Sequence, residues 1–191
     1  AKNMTEPKTK THSQPNSTTI QNQTFEFNKS RSNKLSINQS QTVYLEKMNP
    51  GTRVHHLPAA FRIKTFVRQN ILEQALNLIV ENQEVLRTGI VTENGLAVRK
   101  IFSDVKIHVE RQAVKENELT SVLQAATMFN FDLTKPPLLK VSIYDLGAHD
   151  CVVFILVHHA IWDGWSFDIF FEQLDKAYNV LSKGFSETLD L

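Results

Sequence analysis

One stretch of this chain restricts its fold more than any other: an apolar run that ends in two adjacent histidines. Residues 151–157 read Cys-Val-Val-Phe-Ile-Leu-Val, and a run of this length, rich in β-branched side chains, predicts a buried strand. Residues 158–166, which we call the histidine loop, read His-His-Ala-Ile-Trp-Asp-Gly-Trp-Ser. The Asp-Gly pair predicts a tight turn, and Ser166 followed by Asp168 is typical of a helix start. The histidines therefore lie between a buried strand and a helix, in a position that favours function.

The two histidines cannot both face one cleft. Side chains alternate between the two faces of a strand, so His158 and His159 should point in opposite directions. A single histidine at such a position is usually structural. A shared metal ion is disfavoured by the opposite directions, and Cys151 lies inside the predicted strand, so we expect no metal site. The loop as a whole, rather than either histidine alone, favours catalysis.

Length and composition are those of one ordinary folded domain. The chain has 191 residues, of which 41% are hydrophobic, and a formal net charge of +1, which is enough to build a core. A single cysteine excludes an internal disulfide framework and favours a reducing, cytosolic setting. The sequence has no run of 18 apolar residues and no apolar signal segment, so we expect no membrane partner.

Residues 1–34 differ from the rest of the chain. They are rich in Ser, Thr, Asn, Gln and Lys and contain few apolar residues, so they cannot bury enough surface to offset the entropy of ordering. We predict a disordered tail or linker here. A docking segment anchored on Phe25-Glu26-Phe27 is an alternative. A nucleic-acid arm is disfavoured because the cations are dispersed, so no nucleic-acid partner is expected.

From residue 35 onward the sequence predicts an α+β sandwich, a mostly antiparallel sheet with about four helices against it. Ser36 and Gln39 have the spacing of a helix-capping box, and Asn94-Gly95 is a strong hairpin signal. The first predicted helix begins near residue 36 and is ended by residues 49–51. The other three predicted helices span 67–80, 116–128 and 166–181. The predicted strands span 57–63, 88–92, 96–102, 105–109, 138–146 and 151–158.

Two further expectations concern side chains near the start of the domain. Val43, Tyr44 and Met48 have the spacing to line one face of the first helix. His55 and His56 precede a predicted strand without the turn and helix start that follow the later pair. We therefore expect His55 and His56 to be polar surface residues.

The histidine loop resembles the HHxxxDGWS core motif of nonribosomal peptide synthetase condensation domains. Three other segments are similar to motifs of that family, in the same order along the chain. They are residues 35–63 with Pro58-Ala59-Ala60-Phe61-Arg62, the Glu-Val-Leu-Arg-Thr of 84–88 for RHExLRT, and 131–139 for FDL…PLL. The resemblance covers about residues 35–183. Asn82 and Gln83 replace the Arg-His that usually opens the second motif, so any role of that arginine is missing.

This resemblance implies the chloramphenicol acetyltransferase-like fold and one lobe of a two-lobe pseudodimer. Residues 35–191 would form the N-terminal lobe. The C-terminal lobe, with its floor loop and latch strand, lies outside this sequence, so we expect the isolated chain to be incomplete and inactive. The face that the other lobe would cover should be apolar, and we therefore expect self-association through it.

The chemistry that the resemblance implies is amide synthesis in secondary metabolism, including antibiotic biosynthesis. Donor acyl or peptidyl thioesters and acceptor aminoacyl thioesters arrive on the phosphopantetheine arms of carrier proteins. No cofactor would then be bound directly. The implied partners are acyl and peptidyl carrier proteins, the C-terminal lobe, and neighbouring adenylation or carrier domains.

The resemblance also implies roles for individual residues. It assigns catalysis to His159, support of the site to His158, and a structural role to Asp163 paired with Arg87. Gly164 would leave room beside the amine. The remaining candidates, which would line the substrate channel, are Trp162, Trp165 and Ser166. From the residues alone, His159 is suited either to accept a proton from the amine or only to orient it.

Two other functions remain open at this point. His159 and Asp163 also satisfy the shorter HxxxD pattern of acyl-CoA-dependent acyltransferases with the same fold. A non-catalytic half-domain that docks carrier proteins is the second alternative. The full HHxxxDG pattern and the Leu86-Arg87-Thr88 segment favour condensation over the acyl-CoA reaction.

Overall fold

The computed structural model describes residues 33–163 and 166–184. Its helices and strands confirm the α+β class. The helices are α1 (Ile37–Met48), α2 (Gln69–Asn82), α3 (Leu119–Thr127) and α4 (Ser166–Ser182). The strands are β1 (His56–Ile63), β2 (Thr88–Glu93), β3 (Leu96–Ile101), β4 (Val109–Ala113), β5 (Leu139–Gly147) and β6 (Asp150–His158). Of the predicted tail, only Asn33 and Lys34 are described, and the Phe25-Glu26-Phe27 segment lies outside the described residues.

Four strands form the main sheet in the order β1-β6-β5-β4. The β1–β6 and β6–β5 pairs are antiparallel, and the β5–β4 pair is parallel. Strand β6 therefore has a hydrogen-bonded neighbour on each side, and its residues are buried from Cys151 to His158. Since successive side chains point to opposite faces, this continuous burial means that both faces of β6 are covered, which explains the unbroken apolar run. Strands β2 and β3 form a separate two-stranded sheet.

Helices cover both faces of this sheet, and an apolar core lies on each face. On one face, α2 and α4 pack against β6, with Leu76 and Ile155 almost completely buried. On the other face, α3 packs over Phe154 and Leu156. Side chains alternate along β6, so His158, two residues after Leu156, belongs to the face that α3 covers. None of the helices in the described ranges combines the length and the apolar character needed to cross a bilayer.

The local signals of helix α1 are confirmed at its start and corrected along its length. The Ser36 hydroxyl accepts a hydrogen bond from Gln39 N, and the Gln39 side chain accepts one from Ser36 N, as in a capping box. Val43 is buried, but Tyr44 and Met48 are 62% and 67% exposed. The three therefore do not share a face against the core, because α1 buries mainly its Thr42–Val43 side.

Strand β4 begins later than the sequence predicts. The alternation of buried Val105, Ile107 and Val109 is present, but only Val109 and later residues pair with β5. The Asn77 side chain on α2 instead accepts from Ile107 N and donates to Ile107 O, at 2.8 and 3.0 Å. A side chain has thus replaced the neighbouring strand as the hydrogen-bond partner of this backbone.

The hairpin between β2 and β3 forms as predicted. Asn94 and Gly95 both have positive φ, 51° and 79°, as a two-residue turn of the I′ type requires. Contacts with this hairpin also begin slightly before residue 35, because Lys34 bridges to Val98 on β3 and Asn33 O accepts a hydrogen bond from Arg99 N.

Gly89 on β2 has no room for a side chain. A Cβ atom at this position would lie 3.0 Å from the Thr134 carbonyl oxygen and 3.1 Å from both Phe102 and Pro136. Gly89→Ala should therefore lower the free energy of unfolding by about 1–3 kcal/mol, measured by urea denaturation. Gly147→Ala is the matched control, because its Cβ would meet nothing within 4 Å. Equal effects of the two substitutions would contradict this packing.

Candidate active site

The first residues of the histidine loop, His158–Trp162, form a tight bend at the end of the central strand. Strand β6 ends at His158, and residues His159–Ile161 form one turn of 3₁₀ helix before Trp162. Gly164 and Trp165 lie outside the described residues, so their assigned roles remain predictions. The two histidines differ in burial: His158 is 1% exposed, whereas His159, the first residue of the 3₁₀ turn, is an exposed residue.

The buried His158 is held as a neutral imidazole. Its Nδ1 accepts a hydrogen bond from Ala160 N at 3.1 Å and therefore carries no proton. The proton lies on Nε2, which donates to Glu46 Oε1 at 3.1 Å. Burial lowers the pKa of His158 below its ordinary 6.5, and this outweighs the raising effect of the Glu46 hydrogen bond and charge. His158 is thus a structural connection between the loop and α1.

The exposed His159 has the opposite tautomer. Its Nδ1 lies 2.6 Å from the Trp162 carbonyl oxygen. A carbonyl oxygen only accepts hydrogen bonds, so Nδ1 must donate its proton to it. The Nε2 lone pair of His159 is then available to an external donor. The ring is oriented by a backbone atom of its own loop, three residues away.

A cluster of polar side chains lies beneath the loop, and local sequence patterns did not predict it. Glu46 on α1 accepts from both His158 and His55, with His55 Nδ1 at 3.0 Å. His56 Nδ1 donates to the Thr127 carbonyl at 3.2 Å, and its ring lies 5.7 Å from that of His158. The expectation that His55 and His56 are surface residues is therefore wrong, since both are partly buried.

Strand pairing is what brings these histidines together. Strand β1 runs antiparallel to β6 with His56 opposite His158. A sequence signal for this existed in principle, because a His-His pair stands at one end of each of the two predicted strands. Glu46 had no such signal, since 112 residues separate it from His158.

The expected ion pair between Arg87 and Asp163 is not found among the contacts of the described residues. Arg87 Nε donates to the Val80 carbonyl and its Nη1 to the Phe102 carbonyl, both at 3.0 Å. The exposed Asp163 carboxylate instead accepts from Ser166 N and Ser166 Oγ, at 2.9 and 2.7 Å. Arg87 therefore connects the end of α2 to Phe102, the residue that follows β3, and Asp163 holds the first turn of α4.

Two of the predicted channel residues have defined surroundings. Trp162 is 5% exposed and packs edge-on against Phe167 and Phe170, with ring centroids 5.1 Å apart in each case. Trp162 and Ser166 both border a small cavity of about 130 Å³ beneath the start of α4. Their predicted role in lining the substrate channel stays a prediction. Across residues 33–163 and 166–184, the structure contains no cluster of three His, Cys, Asp or Glu suited to a metal ion.

The lowered pKa of His158 predicts how stability depends on pH. The unfolded chain binds a proton at His158 below about pH 6.5, whereas the folded chain resists it, so stability rises with pH in this window. We expect the free energy of unfolding to fall as the pH drops below about 6.5. His158→Gln should flatten this part of the curve measured by urea denaturation at several pH values.

A second pH window should be independent of His158. Hydrogen bonds from Arg62 and Lys64 lower the pKa of Asp150 below its ordinary 3.8. The contribution of these bonds to the free energy of unfolding is therefore present above pH 3.8 and is lost only at more acidic pH. An unchanged slope between about pH 5 and 6.5 in His158→Gln would contradict the assignment of that slope to His158.

Comparison with known proteins agrees with the resemblance seen in the sequence. The sequence profile of the condensation domain matches residues 29–189. Malpinin synthetase of Mortierella alpina is 31% identical over 160 residues, which cover 81% of this chain and 2% of that protein. A linear gramicidin synthase polypeptide of Brevibacillus parabrevis is 31% identical over 157 residues, which cover 78% of this chain and 3% of that protein.

The fold agrees as well. The first condensation domain of the calcium-dependent antibiotic synthetase, in complex with a substrate analogue, superposes with a TM-score of 0.76 at 20% identity. The match covers 85% of this chain and 40% of that structure. The chain thus spans less than half of a solved condensation domain and a few per cent of the synthetases it matches.

Proposed function

Because this chain belongs to the condensation-domain family of nonribosomal peptide synthetases, we propose that it supplies the histidine-bearing lobe for amide-bond formation between two carrier-bound thioesters. The lobe would present His159 to the acceptor amine as that amine attacks the donor carbonyl. One observation carries the proposal: the Nδ1 proton of His159 is committed to the Trp162 carbonyl, and the opposite nitrogen belongs to an exposed residue.

The proposed chemistry follows from that tautomer. An acceptor amine would donate an N–H hydrogen bond to His159 Nε2, which aims the nitrogen lone pair at the thioester carbonyl. A C–N bond forms and the C–S bond breaks. The proton lost by nitrogen passes through the imidazole to the departing thiolate, so His159 ends the cycle in its starting state. The reaction balances without an oxidant, a reductant or a metal ion.

The residues around this histidine have separate roles in the proposal. His158 touches Glu46 and the loop backbone, so it would hold the loop in place without contacting substrate. Asp163 would act on the start of α4 through Ser166 and not through Arg87. Gly164 is proposed to leave room for the amine, as the resemblance implies.

The proposed substrates and partners come from the family. Condensation domains act on acyl groups held on the phosphopantetheine of carrier proteins, so carrier proteins and the complementary lobe are the expected partners. A four-domain nonribosomal peptide synthetase bound to AMP and glycine is similar in fold over 77% of this chain and 12% of that protein. This likeness supports the expectation of neighbouring domains. No cofactor is proposed to be bound directly by this lobe.

The choice of donor tests the proposed function. We expect a two-lobe condensation domain containing this chain to form amide from carrier-bound acyl and aminoacyl thioesters, detected by mass spectrometry of the acceptor carrier protein. The same protein should give no product when acyl-CoA and a free amine or alcohol replace the carrier-bound substrates. Efficient transfer from acyl-CoA would instead identify an acyl-CoA-dependent acyltransferase. Absence of product with either donor would identify a non-catalytic docking lobe.

A further inference from the structure

We propose that Glu46 is a positioning residue, the carboxylate through which helix α1 holds the backbone on both sides of His159. This inference rests on the proposed function, in which His159 contacts the acceptor amine. Glu46 itself lies beneath the loop, with its side chain 17% exposed, and would not contact substrate. Its role would be to set where the imidazole of His159 stands.

The first connection passes through the ring of His158. Glu46 Oε1 accepts from His158 Nε2 at 3.1 Å, and Nδ1 of the same ring accepts from Ala160 N at 3.1 Å. A single rigid imidazole, 1% exposed, therefore spans the distance from α1 to the residue that follows His159. Movement of the carboxylate would move the backbone on that side of the catalytic residue.

The second connection passes through His55. The same oxygen, Glu46 Oε1, lies 3.0 Å from His55 Nδ1. The His55 carbonyl in turn accepts from the backbone N–H of His159 at 2.8 Å. Glu46 is thus connected to the backbone N–H of His159 through His55 and to the backbone N–H of Ala160 through His158.

Helix α1 makes a third contact with the histidine loop, at the carbonyl of Ala160. Gln39 Nε2 donates to the Ala160 carbonyl at 3.0 Å, while the Gln39 side-chain oxygen accepts from Ser36 N in the capping box. Val43, one turn further along the helix, packs against Ala160 in the same small apolar cluster. These contacts hold the start of α1 in place against Ala160, so the helix that carries Glu46 is itself fixed relative to the loop.

Because of these contacts, we expect the Glu46 carboxylate to position the imidazole of His159 more than to stabilise the fold. A displacement of a reacting group by about 1 Å can lower the rate of the chemical step by about 10²-fold. The titratable groups that face one another in this cluster are Glu46 on α1, His55 before β1, His56 on β1 and His158 on β6. Both Glu46 hydrogen bonds need an oxygen acceptor at this position, which glutamine also supplies.

The test compares two substitutions at position 46 in the two-lobe domain. Glu46→Ala should lower kcat for amide formation about 10- to 100-fold and leave KM for the carrier-bound substrates nearly unchanged. Glu46→Gln should restore kcat to within a few-fold of the original protein. A kcat for Glu46→Ala equal to that of the original protein would overturn the proposal, and so would a failure of glutamine to restore it.

A matched control separates position from stability. Asn77 makes its side-chain hydrogen bonds to Glu73 and Ile107, which belong neither to α1 nor to the histidine loop. Asn77→Ala should therefore lower the free energy of unfolding without lowering kcat. An equal loss of kcat in Asn77→Ala and Glu46→Ala, at a similar loss of stability, would overturn the role of Glu46. Full activity of His159→Ala would instead overturn the proposed function on which this inference rests.

Discussion

Replacing His159 with alanine should lower kcat for amide formation by about 10²–10⁴-fold, the range that a positioned proton acceptor contributes. The effect should fall on the chemical step, because the ring is expected to contact the attacking nitrogen and not the carrier proteins. The rate should be measured in a single turnover, with donor and acceptor loaded on their carrier proteins and product followed by mass spectrometry. The fold should be unaffected, because His159 is an exposed residue.

The matched control for this substitution is His149→Ala. His149 is also an exposed histidine, but it lies in the turn between β5 and β6, at the opposite end of the strand that carries the histidine loop. We expect its loss to leave kcat unchanged. If His159→Ala retained the rate of the original protein, or if both substitutions lowered it equally, the role proposed for His159 would be wrong.

The second large effect concerns stability. Leu156→Ala should lower the free energy of unfolding by about 2–5 kcal/mol, because the leucine is completely buried in β6 and truncation leaves a cavity in packed surroundings. Leu156 lies in the core between the sheet and α3, two residues before His158. The measurement is urea unfolding of the chain followed by circular dichroism.

Leu96→Ala provides the comparison for that loss. Leu96 begins β3 and is 70% exposed, so its truncation should change the free energy of unfolding by less than about 0.5 kcal/mol. The two substitutions remove the same atoms from the same residue type in a strand. Similar effects at the two positions would mean that the α3 side of β6 is not a closely packed core.

Local signals predicted most of the fold because they depend only on neighbouring residues. The apolar run of β6 is a buried strand, the Ser36 and Gln39 pair is a capping box, and Asn94 adopts the positive φ of the predicted hairpin turn. Each of these features is decided by side chains a few positions apart. The late start of β4 was not predictable in this way, since it depends on Asn77 from a different helix.

The candidate site was predictable only in part, for the same reason. Strand alternation predicted that the two histidines point in opposite directions, but it did not predict that His158 would be buried and His159 exposed. The carboxylate of Glu46, however, meets His158 across 112 residues of sequence, and no local spacing encodes that contact. Likewise, the tautomer of His159 depends on where the Trp162 carbonyl lies after the loop has bent.

The pairing expected from the family resemblance shows a different limit. Arg87 matches an arginine of the second motif, but here two main-chain carbonyls take its hydrogen bonds, and Asp163 takes those of Ser166. A matching residue type establishes which donors and acceptors are present. It does not establish which partners they meet, because a guanidinium can satisfy carbonyl oxygens as well as a carboxylate.

The positions of the protons on His158 and His159 can be measured by NMR spectroscopy. Long-range ¹H–¹⁵N NMR spectra of the chain at neutral pH should show His158 protonated on Nε2 and His159 protonated on Nδ1, with the signals assigned by comparison with His158→Gln and His159→Gln. Opposite tautomers in neighbouring residues would mean that one ring is bound to α1 while the other offers a lone pair to an incoming amine. Protonation of His159 on Nε2 would contradict that account.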